Sequence, residues 1–437
     1  MAIASCILTA IVLGQSGPGF THSAGLEPGY WLEVTGVVPD GPAAKAGVWV
    51  GDVLASYDGK PMGSRAELEA AQAAVQVDSL VATFRRGSKE LNFVLPNGKL
   101  GIYLSEWMKD VPPDVDAKLI AGVPNLSWNE MNSFMGALQA IGHRIGDHSG
   151  YAYFCGVSGA AFRTQFFDTW CPSSPDPTVG YNAGDAVLKA RGFSTTWLNV
   201  SGDGKNKPQI LEAIRKSIDA GMPVLAIDLV GAPEWGIIIG YQKNGQELLC
   251  HTYFDKHKAY EVAQEFPFVV AILKRDGKAP DDDVIIRQGF GVVAQNLTTE
   301  KYGEYYSGLA AFDKWMARLR DDDFTKLDSA KLWNVVQANQ WIFQRLVADR
   351  KTGIDYLDMV ALRMPGLEAK TASLKSLYQQ EVATLEPLLG QLPGPETVKP
   401  GWQWSKVDRD KEIATLALAQ AFEEQTLPIW KEFAGKK

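Results

Sequence analysis

The stretch from Asn125 to Pro175 reads NLSWNEMNSFMGALQAIGHRIGDHSGYAYFCGVSGAAFRTQFFDTWCPSSP. Ser127 and Glu130 have the spacing of a capping box, which marks a helix start. Phe134, Leu138, Ile141 and Ile145 then recur at the spacing of one helix face, so a helix packed on a core is predicted. Tyr151, Tyr153 and Phe154 lead into Gly156-Val157-Ser158-Gly159, and a second helix is predicted through Phe162, Phe166 and Phe167, closed by Trp170-Cys171-Pro172. Outward from this stretch, Ala183 to Arg191 and Gln209 to Ala220 read as helices stopped by glycine. Pro223 to Leu229, Gly236 to Tyr241 and Glu247 to Phe254 read as strands, the last two joined by the turn dipeptide Asn244-Gly245. Helices first and antiparallel strands after them give an α+β unit.

The chain has 437 residues, 46% of them hydrophobic and 22% charged, which suits a globular protein of two to three domains. A formal charge of -8 argues against a nucleic-acid groove, which needs clustered Lys and Arg. Beyond residue 20 nothing is apolar enough to span a bilayer. The first sixteen residues, MAIASCILTAIVLGQS, have two readings: a signal peptide that lacks a basic n-region, or a first β-strand. The first reading implies a secreted or periplasmic protein, the second a cytoplasmic one. The four cysteines, Cys6, Cys155, Cys171 and Cys250, form no regular framework. Cys155, Cys171, Cys250 and His251 are chemically suited to zinc but match no zinc spacing, so neither metal nor cofactor is expected.

Residues 26–98 form a first module. Tyr30 to Val38 is a strand, Pro39-Asp40-Gly41-Pro42 a turn, Val53 to Tyr57 a strand ended by Asp58-Gly59, and Ser64 to Val75 a helix with a second capping box at Ser64 and Glu67. Strands follow at Leu80 to Phe84 and Leu91 to Leu95. The phrase GVVPDGPAAKAGVWVGDVLASYDGKPM, through Gly41-Pro42-Ala43, Ala46-Gly47, Gly51-Asp52-Val53 and Asp58-Gly59-Lys60, resembles the core of a bacterial PDZ domain. The resemblance implies that a partner's C-terminal peptide adds as a strand to a sheet edge. The groove would lie beside the Ser64 to Val75 helix, faced by Leu68, Ala71, Gln72 and Val75. A carboxylate-binding loop would precede Tyr30, with Leu13, Gly14 and Phe20 available for it. The bland alternative is a module that only packs on its neighbour.

Residues 99–123, with Pro112-Pro113, read as a linker. Residues 124–280 resemble a papain-like domain, nearest the N-terminal domain of the butirosin-biosynthesis protein H group, relatives of bacteriocin-processing peptidases. FMGALQAIG, GVSGAAFR, WCPSSP, GMPVLAID and GIIIGY carry that resemblance. Residues 281–437 read as a helical region, with Leu332, Val336, Asn339, Phe343 and Leu346, and later Leu367, Thr371, Leu374, Tyr378, Val382 and Leu385, at helical spacing.

The papain-like resemblance implies a cysteine at the start of the first long helix and a histidine just ahead of the GIIIGY strand. This chain has Asn132 and Ser133 at the first place and Pro233-Glu234-Trp235 at the second. A carboxylate is a weak base for a serine hydroxyl. One reading is therefore a papain-like domain without the usual pair, guided to peptide partners by the PDZ module. The other is a thiol-dependent peptidase or acyl transferase in which Cys155 attacks, His251 is the base and Asp255 orients it. The ordinary fate of Cys155 is a small buried hydrophobe. Asn132, Ser158, Arg163, Trp170 and Trp235 are candidate pocket residues.

Overall fold

The computed structural model describes residues 30–98, 100–275, 277 and 279–434. The N-terminal segment, with Leu13, Gly14 and Phe20, lies outside the described residues.

The first unit comprises β1 (Tyr30–Val37), α1 (Pro42–Ala46), β2 (Val53–Tyr57), β3 (Lys60–Pro61), α2 (Arg65–Ala74), β4 (Ser79–Arg86), β5 (Lys89–Pro96) and β6 (Ile102–Met108). The short helix α1 stops where Gly47 turns left-handed at φ 90, a conformation open to glycine at little cost. Both halves of the capping box at Ser64 and Glu67 are formed. The sheet order is β5-β4-β2-β1-β6, with β3 on β2. Leu32, Val34, Leu54, Tyr57 and Phe84 are fully buried beneath α2. The predicted linker is corrected here. Its first part is β6, which pairs with β1 from Tyr30↔Met108 to Val37↔Ile102.

The second unit contains β7 (Lys118–Leu119), α3 (Ser133–Ile145), α4 (Tyr151–Val157), β8 (Gln165–Phe167), α5 (Ala183–Ala190), β9 (Phe193–Asn199), α6 (Lys207–Asp219), β10 (Val224–Ile227), β11 (Trp235–Gln242), β12 (Glu247–His251), β13 (Glu261–Val262) and β14 (Val269–Arg275). Its antiparallel sheet runs β13-β12-β11-β10-β14-β9, with β7 on β11. Every residue of β10 and β11 is buried, because α3 and α6 pack against the sheet. The second helix predicted through Phe162, Phe166 and Phe167 does not form. After α4 the chain makes a 3₁₀ turn at Ala160–Phe162 and then strand β8, whose three residues are all buried. Phe162 and Phe166, four apart, fit a helix face, but here β8 pairs with a distant strand instead.

The remaining elements are α7 (Asp282–Thr298), β15 (Lys301–Tyr302), β16 (Tyr305–Ser307), α8 (Gly308–Asp321), α9 (Ser329–Arg363), α10 (Glu368–Leu389) and α11 (Lys406–Ala434). Strand β16 pairs with β8, which ties this region to the second unit. The core of the second unit continues into α7, α9, α10 and α11 through Phe290, Tyr356, Tyr378 and Trp430. The mixed α+β class follows from these layers.

Candidate functional site

Two places have the geometry of a site: the outer edge of β6 and the N-terminus of α3. In the first unit, Val34 donates to Asp52 O at 2.8 Å and accepts from Gly51 at 2.8 Å, so both its backbone groups face β2. Leu104, opposite Val34, is then in a non-hydrogen-bonded pair, and its N–H and C=O point away from β1. The same alternation turns Ile102, Glu106 and Met108 outward. Helix α2 lies across this edge. The Arg65 guanidinium donates to Leu104 O, the Arg65 amide donates to Glu106 Oε2 at 2.9 Å, and Gln72 Nε2 donates to Gly98 O at 2.9 Å. Ile102, Leu104 and Val75 are half-buried against the same core as Leu68 and Ala71, which are buried. Among the expected groove residues, Gln72 and Val75 thus stand beside the edge, while Leu68 is mostly spent on the core.

The loop before β6 was missed in the sequence. Gly98 and Gly101 have φ 94 and 73, and Leu100 and Gly101 turn their carbonyls inward, to Ala43 N at 3.1 Å and Val38 N at 2.9 Å. Among the described residues, the Leu100 and Gly101 amides donate to no protein acceptor. Consecutive amides on such a turn make a nest for an anion. The signal was present: Asn97-Gly98 is a turn dipeptide and Ile102 to Met108 is rich in β-formers.

At the second place, Asn132 is the N-cap of α3, its side-chain oxygen accepting from Met135 N at 3.2 Å. Ser133 begins the helix and is 8% exposed. Its hydroxyl accepts from Trp235 N at 3.3 Å and touches the Glu234 carboxyl. Burial holds the Glu234 carboxyl above its ordinary range, and the Ser133 contact opposes that. The Trp235 indole donates to Asp176 Oδ2 at 2.9 Å and packs edge-on against Phe134. The structure therefore brings Asn132, Ser133, Glu234 and Trp235 together. No histidine is in that set, and Glu234 is a carboxylate without the ionisation range of an imidazole.

Cys155 and His251 are not brought together. Cys155 is fully buried on α4, and its thiol is pushed far up by burial, so it holds its proton. Its polar neighbour is the Tyr151 hydroxyl, which also accepts from Asn132 N at 2.8 Å. His251 Nδ1 lies 2.9 Å from Asp255 Oδ2 and 3.2 Å from Asn125 Nδ2, and 3% of its side chain is exposed. Asp255 also accepts from the amide and hydroxyl of Thr252, so the pair closes a turn. Among the described residues no hydrogen bond joins the Cys155 sulfur to His251, and the thiolate that attack requires is disfavoured. Nor do three or more His, Cys, Asp or Glu side chains gather as a metal site among the described residues.

Three candidate pocket residues have other work. The Arg163 guanidinium donates to the carbonyls of Pro175, Asp176, Val179 and Tyr181 and cages that loop. Ser158 Oγ donates back to Phe154 O at 2.7 Å. Trp170 donates to Asp322 and packs with Phe166 and Trp404 in a separate core. The expected pocket of Asn132, Ser158, Arg163, Trp170 and Trp235 is corrected accordingly, since Ser158, Arg163 and Trp170 are engaged elsewhere.

Residues 33–82 match the family model described as PDZ domain, so this part of the chain is a PDZ domain. The chain is also similar to a protein named probable periplasmic serine endoprotease DegP-like, from Pseudomonas putida (strain W619), with 34% identity over 89 residues. That alignment spans 20% of this chain and 17% of the relative's length.

Proposed function

We propose that the chain binds the C-termini of peptides or proteins through its PDZ domain, and that its central domain is a papain-like domain of the butirosin H N-terminal kind that does not work as a cysteine peptidase. The observation that carries the binding part is the outward edge of β6 beside α2, with the Leu100 and Gly101 amides at the end of that edge. A strand laid antiparallel on β6 pairs with Ile102 and Leu104, and its terminal carboxylate meets the two amides. In this reading the carboxylate loop follows β5, where the sequence reading expected it before Tyr30. The name of the DegP-like relative suggests a protease-associated setting for such a module.

The papain-like reading is supported by α3 packed on an antiparallel sheet, with its first residue, Ser133, against Trp235 at the start of β11 and Glu234 just ahead of it. Its non-proteolytic character is supported by what stands there. Ser133 has the half-buried Glu234 carboxyl in place of an imidazole, and losing a competent base forfeits roughly 10²–10⁴-fold of rate.

A labelled peptide with a free C-terminal valine is expected to bind in roughly the micromolar range, about -8 kcal/mol at 1 μM, and amidation is expected to weaken it. Peptide and acyl-ester substrates are expected to stay intact, as in Ser133→Ala. Equal affinity for acid and amide overturns the binding reading. Hydrolysis that disappears in Ser133→Ala overturns the non-proteolytic one.

A further inference from the structure

The outer edge of β6 is not open along its whole length. Its last residue, Met108, donates its outward amide to Lys256 O at 2.6 Å and forms a parallel bridge with His257. The bridging segment comes from the second unit, between β12 and β13, and is held on the first unit from several sides. Lys258 Nζ lies 2.6 Å from Glu33 Oε1, the Ala259 amide donates to Asp110 Oδ1 at 2.8 Å, and the Tyr260 hydroxyl donates to Val111 O. Glu261 shapes the segment internally by accepting from the amides of Lys256 and His257. A short strand of the second unit thus already sits where a long peptide would continue.

The direction of entry makes this a limit on length. A peptide whose carboxylate lies at Leu100 and Gly101 runs antiparallel to β6, so its upstream residues pass Leu104 and Glu106 and then meet Lys256 and His257. We infer that the segment Lys256–Tyr260 closes the far end of the peptide groove, so that the PDZ domain reads only a short free C-terminus and turns the upstream chain off the sheet. Short of Met108 the outward-facing residues of β6 are Ile102, Leu104 and Glu106, the Leu104 carbonyl already accepting from the Arg65 guanidinium, and this stretch takes a paired strand of about five residues once Arg65 swings aside and room is left for the Lys256 carbonyl. This rests on the peptide-binding reading above.

The test compares an N-terminally labelled pentapeptide with a decapeptide that shares its last five residues, both ending in a free valine, on the full chain. The native protein is expected to bind both with equal affinity, within about twofold, since no backbone partner is free beyond Glu106. The variant Lys258→Ala/Asp110→Ala/Tyr260→Phe removes three ties of the closing segment, and Glu261→Ala releases it by a second route. Hydrogen exchange at the Met108 amide reports that the segment has come away. In a variant so released, the decapeptide is expected to bind roughly tenfold tighter than the pentapeptide, the gain of a few added backbone bonds. A decapeptide advantage of that size in the native protein overturns the inference. So does equal affinity in a variant whose Met108 amide exchanges freely. If neither peptide binds the native protein or the variants, the peptide-binding reading itself falls, and this inference with it.

Discussion

Glu412, on α11, is fully buried, with one carboxyl oxygen accepting from Asn339 Nδ2 at 2.8 Å and the other without a partner among the described residues. Asn339 accepts in turn from the Trp315 indole at 2.7 Å. Burial pushes the Glu412 carboxyl up to about 8, so the folded protein keeps a proton that the unfolded chain releases near the ordinary value of 4.5. The folded pKa is raised. Its stabilising effect is therefore complete below pH 4.5 and is lost as the pH rises towards 8. Between those limits the loss approaches about 1.4 kcal/mol per pH unit at most. Urea denaturation of native protein and Glu412→Gln from pH 5 to pH 8 checks this: the native protein should lose stability relative to the variant as the pH rises. Parallel curves for the two proteins would reject it. Nothing in the sequence marks Glu412, because its periodic neighbours Ile413, Leu416 and Ala417 announce a helix without fixing which carboxylate faces inward.

Helices α4 and α9 cross at Gly156, where a Cβ would lie 2.1 Å from the Tyr356 ring. The glycine is there for close approach, since the ring fills the space a side chain would need. Gly156→Ala is expected to destabilise the protein by about 1–3 kcal/mol, the usual cost of overpacking. Adding Tyr356→Leu should recover part of that loss, because the two residues share one contact. Thermal unfolding of the two single variants and the double variant measures the coupling, and simple additivity would show that the contact is not the cause. In sequence the Gly156-Val157-Ser158-Gly159 run reads as the lead into a second helix, with Cys155 just ahead of it as a candidate nucleophile. Packing against α9 instead makes it an interior crossing. β6 poses the reverse problem. Its β-formers are visible, but a linker reading is natural because its partner β1 lies at the other end of the unit, and loop closure over that distance leaves no local signature.

At the scale of the whole molecule, Arg350 joins the parts. It is fully buried on α9, donates Nε to Glu423 on α11 at 2.7 Å, lies 3.3 Å from Glu381 on α10, and reaches the Ala161 carbonyl at 3.1 Å and Thr164 Oγ1 at 2.7 Å beside α4. Arg350→Met leaves two buried carboxylates without their cation and is expected to cost about 3–5 kcal/mol. Tryptophan fluorescence and far-UV circular dichroism should lose their midpoints together, since the helices and the second unit share this node. A shift confined to one probe would show that the units unfold independently. The sequence by itself determined what local chemistry fixes: the glycine turns of the PDZ phrase, the capping box of α2, the helix face from Phe134 to Ile145 and the apolar stripes whose members Leu332, Val336, Phe343, Leu374 and Leu385 are buried; the capping box read at Ser127 and Glu130 is corrected, since the cap of α3 is Asn132 and Ser127 closes a turn ahead of it. The tertiary structure alone decided which distant groups meet. It set Ser133 against Trp235, 102 residues away, held Cys155 protonated in the core, used Arg163 as a clamp on carbonyls, and gave the far end of the β6 edge, at Met108, to a segment of the second unit. The reason is that caps and turns are satisfied within a few residues, whereas burial, pairing and charge compensation depend on neighbours that only the folded chain supplies.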